Sequence, residues 1–223
     1  MTLIIAHRGA SAEEPENSLA AFRRALVLGA DGVEFDVHTT ADRELVVAHD
    51  PDLDERPIAR STGAQVARHS LPNGEPVPTL RAALDVVTRD GIAFIELKGL
   101  PPDADERLLA LIDACPAPDR CRVHAFDHRI IRRLTARRPA LEAGILSESY
   151  SVEPAFDVSS AGAVALWQRA DLVDAPLAAL VRQAGYALYA WTVDQPERMR
   201  RLVAAGVDGI CTNRPDVARE VIR

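Results

Sequence analysis

From Thr79 onward the chain alternates short apolar or β-branched runs with amphipathic helical stretches. Ile92–Lys98, Arg122–Phe126, a run near Ala143–Leu146, another near Ala163–Leu166 with a short extension at Leu172-Val173, Ala187–Thr192 and Gly209–Thr212 read as strands. Thr79–Thr88, Asp103–Ala114, His128–Ala136, Glu153–Ser160, Pro176–Ala184, Pro196–Ala205 and Pro215–Ile222 read as helices. This order dictates parallel strands, because a strand that returns to its starting end needs a helical crossover. The N-terminal part adds strand Leu3–His7 and helix Leu19–Leu28, capped by Asn17 or Ser18 and stopped at Gly29. Strands Gly32–Val37 and Glu44–Ala48 follow, joined by a turn rather than a helix. About eight such units in 223 residues predict a closed α/β barrel of the TIM type. The doubly wound sheet is the competitor, but no glycine-rich fingerprint follows the first strand. A single domain over residues 1–223 is expected, with 51–78 as a short insertion after the third strand.

Composition narrows the partners. A net charge of −7 offers no basic field for nucleic acid or anionic lipid, so an anionic substrate must be met by local cations or a metal. Cys115, Cys121 and Cys211 form an odd set without C-x-x-C spacing, which predicts buried thiols rather than disulfides or structural zinc. No apolar run reaches bilayer length. The first strand begins almost at Met1 and leaves no room for a leader, so a cytoplasmic location is expected.

The most informative stretch is Gly32–Thr40. On a strand, Val33, Phe35 and Val37 share one face and Glu34, Asp36 and His38 the other. Acids on an inner face are costly unless a cation meets them; an edge strand with one wet face is the alternative. In a barrel, chemistry lies at the C-terminal strand ends, and polar residues gather there: His7-Arg8-Gly9, Glu34 with Asp36, His49-Asp50, and Glu96-Leu97-Lys98. Glu34, Asp36 and Glu96 supply oxygen ligands suited to one hard divalent cation, Mg²⁺ or Ca²⁺. Arg8 and Lys98 suit a phosphate, and His7 and His49 can exchange protons near neutrality. Such a set is that of phosphoryl-ester cleavage.

The motifs His7-Arg8-Gly9, Pro15-Glu16-Asn17-Ser18, Glu34-Phe35-Asp36-Val37, Leu45 to Asp50, Glu96-Leu97-Lys98, Trp191-Thr192-Val193-Asp194 and Thr212-Asn213-Arg214-Pro215 resemble, in order and spacing, those of the glycerophosphodiester phosphodiesterases. The resemblance implies a TIM-type barrel, a cation held by Glu34, Asp36 and Glu96, and His7 and His49 as acid and base. It further implies phosphate contacts from Arg8 and Lys98, and Trp191 as an aromatic at the barrel mouth. Hydrolysis of a small glycerophosphodiester to glycerol 3-phosphate and an alcohol follows as the expected activity. Its alternatives are lysophospholipase D-like action on a lipid phosphodiester and a catalytically silent binding barrel. Three departures stand out. The insertion after His49-Asp50 is short; His124 replaces a small or amide residue and is expected to make a structural hydrogen bond; and Asn213, like Asn17 and Ser18, is expected to cap a helix.

Overall fold

The computed structural model describes residues 1–223. In chain order it contains β1 (Leu3–His7), α1 (Leu19–Val27), β2 (Gly32–Thr39), β3 (Leu45–Val47), the two-residue strands β4 (Asp52–Leu53) and β5 (Arg56–Pro57), and α2 (Gly63–Val66). There follow α3 (Leu80–Val87), β6 (Ile92–Leu97), α4 (Asp105–Asp113), β7 (Cys121–Ala125), α5 (His128–Arg137), β8 (Glu142–Ser147) and α6 (Pro154–Ser160). The chain ends with β9 (Ala165–Arg169), α7 (Ala175–Gln183), β10 (Ala187–Trp191), α8 (Pro196–Ala205), β11 (Gly209–Thr212) and α9 (Pro215–Ile222).

Eight parallel strands, β1, β2 and β6 to β11, form one ladder that β1 closes by pairing with both β11 and β2. The expected TIM-type barrel is therefore the fold. Alternation of side chains divides the core in two. Outward-facing Ile4, Ala6, Val33, Phe35, Ala93, Ile95 and Val123 join the helices in a cluster of 51 buried residues. Inward-facing Ile5, Phe94, Leu146, Ala165, Trp167, Tyr189 and Cys211 fill the barrel itself. Below them Arg122 pairs with Glu142 at 2.6 Å and lies over the Phe94 ring, closing the N-terminal end.

Most element boundaries fall within a residue or two of those read from the sequence. The strand expected at Ala163–Leu166 instead runs from Ala165 to Arg169, and Ala170–Leu172 is a 3₁₀ turn rather than a strand extension. The apolar run stops at Trp167, yet the ladder continues through Gln168 and Arg169, because strand ends at the mouth of a barrel carry polar residues. The insertion is more ordered than its composition suggests. The β4/β5 ribbon and α2 pack Val46, Ala48, Ile58, Val66 and Val77 into a small core of their own beside the mouth.

All three cysteines are buried thiols, as expected, with Cys115 and Cys121 Sγ 3.6 Å apart. No helix is long and apolar enough to cross a membrane.

Candidate active site

Strand register builds the site. Adjacent strands pair His7 with Glu34, Asp36 with Glu96, and Glu96 with His124, so inward side chains from four consecutive strands meet at one level. Glu34 is 2 %, Asp36 0 % and Glu96 7 % exposed; the alternative of a wet edge strand is excluded. Ligand atoms of Glu34, Glu96 and His124 all lie within 4.8 Å of one another.

Buried carboxylates need compensation. Lys98 Nζ stands 2.8 Å from Asp36 Oδ1 and 2.6 Å from Glu96 Oε1. Arg8 Nε lies 3.0 Å from the other Asp36 oxygen, which also accepts from Asn17 Nδ2 at 2.8 Å. Burial opposes ionisation of Asp36, but Lys98 and Arg8 outweigh it and hold the carboxyl below its ordinary range. Glu34 has no such partner. Its Oε1 makes no hydrogen bond, and burial together with Asp36 and Glu96 pushes its carboxyl well up. Burial also raises Glu96, less the attraction of Lys98. Three carboxylates thus face two cations, and the surplus negative charge sits on Glu34.

The loop after β1 places several of these partners. Arg8 and Gly9 both take left-handed backbone, φ 56° and 85°, and a Cβ on Gly9 would come within 2.7 Å of the Ala21 backbone. The Pro15–Ser18 stretch then does three things. Glu16 binds the Arg8 guanidinium at 2.9 Å, Asn17 holds Asp36, and Ser18 Oγ accepts from the Ala21 N–H to cap α1. Asn17 is therefore part of the site and not the cap; Ser18 takes that role.

His7 is oriented by a relay from the far end of the chain. Asp194 accepts from Asn213 through both its backbone N–H, at 2.8 Å, and its Nδ2, at 2.7 Å. Because a carboxylate only accepts, Asn213 must turn Oδ1 toward His7 Nδ1, 2.7 Å away, and accept its proton. His7 Nε2 is left as a free lone pair 4.0 Å from Glu34 Oε2. Burial, with Arg8 nearby, lowers the His7 pKa below its ordinary value, so the ring is neutral at physiological pH. Asn213 is not the expected helix cap. Arg214 holds that place in α9 without a side-chain bond, and no sequence periodicity could show that the last barrel loop folds back onto β1.

His124 also departs from expectation. It is 1 % exposed, stacks on Trp167 with centroids 4.2 Å apart, and leaves Nδ1 without a hydrogen-bond partner. Burial pushes its pKa down to about 3, so it too is neutral. His49 lies on the outer side of the mouth, half-exposed, its Nδ1 donating to Asp50 at 2.9 Å. Trp191 ends β10 and packs edge-on against Phe126 at 5.6 Å, with an unpartnered Nε1. A cleft of about 700 Å³ opens beside Lys98, bounded by Thr39, Arg43, Gly99, Arg129 and Arg133.

The model of the glycerophosphoryl diester phosphodiesterase family matches residues 7–217. The chain belongs to this family. A glycerophosphodiester phosphodiesterase of Caldanaerobacter subterraneus subsp. tengcongensis is 33% identical over all of this chain and 98% of its own. Among solved structures, a glycerophosphodiester phosphodiesterase from Parabacteroides distasonis superposes with TM-score 0.88 at 26% identity, covering 99% of this chain and 96% of that one. An Oleispira antarctica phosphodiesterase, solved in complex with the product sn-glycerol-3-phosphate, shares the fold at TM-score 0.89 and 22% identity, covering 100% of this chain and 97% of that one. The resemblance read from the motifs is thereby borne out for the family and the barrel.

Proposed function

We propose that the protein hydrolyses small glycerophosphodiesters to glycerol 3-phosphate and an alcohol, using one divalent cation, Mg²⁺ or Ca²⁺, at Glu34, Asp36 and Glu96. One observation carries the reading: a fully buried carboxylate oxygen, Glu34 Oε1, unpartnered beside two more acids at the barrel mouth. The fit is electrostatic. The three buried acids, with Glu16 also on Arg8, outnumber the cations Arg8 and Lys98, so a divalent ion would offset the excess negative charge that would otherwise repel a phosphodiester. When bound, such an ion supplies Lewis-acid stabilisation of charge on phosphoryl oxygen. The activity named for the family and for the Caldanaerobacter relative, and the sn-glycerol-3-phosphate bound by the Oleispira phosphodiesterase, support the same chemistry.

The chain's own residues would divide the proton work. His7, neutral with Nε2 free, takes a proton from the attacking oxygen. His49, on the solvent side, delivers one to the departing alkoxide, its ring fixed by Asp50. Arg8 and Lys98 contact the phosphate, Arg8 as a fork and Lys98 as a point charge. Trp191 shapes the mouth beside the glycerol or alcohol portion.

Turnover of glycerophosphocholine and bis(p-nitrophenyl) phosphate, with and without chelator, tests this function. Chelator should abolish hydrolysis and added cation restore it. Full activity in chelator would overturn the cation assignment, and no hydrolysis with any cation would favour a silent binding barrel. His49→Ala should lower kcat by about 10²-fold or more while leaving cation affinity intact. Glu34→Ala should lower both.

A second reading, action on a lysophospholipid, draws on Phe126, Tyr150, Val152 and Phe156, which are 44 %, 47 %, 99 % and 63 % exposed on or just after the loops that follow β7 and β8 at the mouth. The insertion over residues 51–78 contributes none of these four. A higher kcat/KM for lysophosphatidylcholine than for glycerophosphocholine would decide for the lipid.

A further inference from the structure

We infer that His124 is a nitrogen ligand of the catalytic cation and shifts this site's selectivity from alkaline-earth ions toward first-row transition ions such as Mn²⁺, Co²⁺ or Zn²⁺. The inference rests on the reading above that a cation binds at Glu34, Asp36 and Glu96, and it adds a donor to that set. Three observations point to the imidazole. His124 Nε2 stands 3.8 Å from Glu34 Oε1, too far for a hydrogen bond, while its donor atoms and those of Glu34 and Glu96 lie within 4.8 Å of one another, a span one ion can bridge. Glu34 Oε1 is itself unpartnered although fully buried, so the oxygen nearest this imidazole is free to serve the same ion. The ring is fixed: it is 1 % exposed, stacked on Trp167 at an interplanar angle of 9°, and Gly144 opposite it on β8 gives the indole its room.

Asp36, by contrast, is already engaged by Lys98, Arg8 and Asn17. Glu96 meets Lys98 through Oε1 only, so the donors left for an ion are Glu34, the second carboxylate oxygen of Glu96 and the His124 imidazole. Imidazole nitrogen adds little affinity for Mg²⁺ or Ca²⁺, whereas first-row ions bind it more tightly, rising from Mn²⁺ through Co²⁺ in the Irving–Williams order.

The test is electron spin-echo spectroscopy of the full chain loaded with Mn²⁺, with competition by Mg²⁺ and Ca²⁺ measured calorimetrically. The wild type should show ¹⁴N modulation from a bound imidazole and bind Mn²⁺ at least about 10-fold more tightly than Mg²⁺. His7 is the other imidazole near Glu34, so the modulation should persist in His7→Asn. In His124→Asn it should vanish and the preference for Mn²⁺ collapse. Loss of the modulation in His7→Asn, which retains His124, would overturn the inference whether or not His124→Asn folds. Mn²⁺ bound without any ¹⁴N signal would also overturn it while leaving the cation reading standing. Failure to bind Mn²⁺, Mg²⁺ or Ca²⁺ at all would overturn both.

Discussion

Asp194 touches no acid of the site, yet it decides which nitrogen of His7 faces them. Its two oxygens accept from Asn213 and also from the Thr212 hydroxyl, and together with the Ser11 hydroxyl, 2.9 Å from Asn213 Oδ1, this turns that oxygen toward His7. Asp194→Ala should free Asn213 to rotate, let His7 sample the wrong tautomer, and lower kcat by about 10²-fold, the scale of one acid–base contribution, with KM little changed. Steady-state kinetics check this; unchanged kcat would mean that Asn213 is held by something else. The acids themselves were legible, since period two puts Glu34 and Asp36 on one face whatever the partner strands are. Asn17 and Asn213 were not. Each precedes a helix, where Asn is a favoured cap, and only the folded chain shows that both side chains turn into the barrel mouth instead. His124 was misjudged for a related reason: its meaning depends on the register of β6 with β7, which no local pattern encodes.

At the scale of elements, the barrel interior is a fitted stack of aromatics. Phe94, Trp167 and Tyr189 meet edge to face, with centroids 4.9 to 5.8 Å apart, and His124 lies flat on Trp167. Gly144 is the gap that admits the indole, since a Cβ there would stand 2.8 Å from Trp167 Cδ1. Gly144→Ala should therefore push Trp167 against His124 and destabilise the fold by about 1–3 kcal/mol, the usual penalty of overpacking. Thermal unfolding measures it, and indole fluorescence reports the displaced ring. An alanine variant as stable as the wild type would show that β8 can shift to make room. The strands were legible from their apolar runs and the helices from their caps, as with Thr79, whose Oγ1 accepts from the Ala82 N–H to start α3. The insertion resisted reading because its core is assembled from residues as far apart as Val46 and Val77, with no period to announce it.

Taken as a whole, the molecule balances buried groups whose protonation pulls stability in opposite directions. His7 and His124 are buried neutral, with His124 pushed down to about 3 from an ordinary value of 6.5. The folded state then binds fewer protons than the unfolded chain below pH 6.5, so this stability is fully present above 6.5 and is lost as pH falls. Glu34 has the reverse sign. Its carboxyl is raised well above the ordinary 4.5, so the folded state binds the extra proton and stability falls as pH rises from 4.5 through the folded value. In chelator, Tm should accordingly pass through a maximum in the mildly acidic range and decline on both sides. His124→Asn should flatten the acidic decline, because an amide has no proton to gain. Glu34→Gln should flatten the decline toward neutrality for the same reason. Adding a divalent cation should remove that second decline in the wild type but not alter Glu34→Gln to the same degree, since the ion stabilises only the ionised carboxylate. Calorimetric scans between pH 4 and 8 measure all five curves. If Glu34→Gln kept the full decline toward neutrality, the destabilising charge would lie elsewhere and the excess negative charge could not be what draws a cation to the mouth of the barrel.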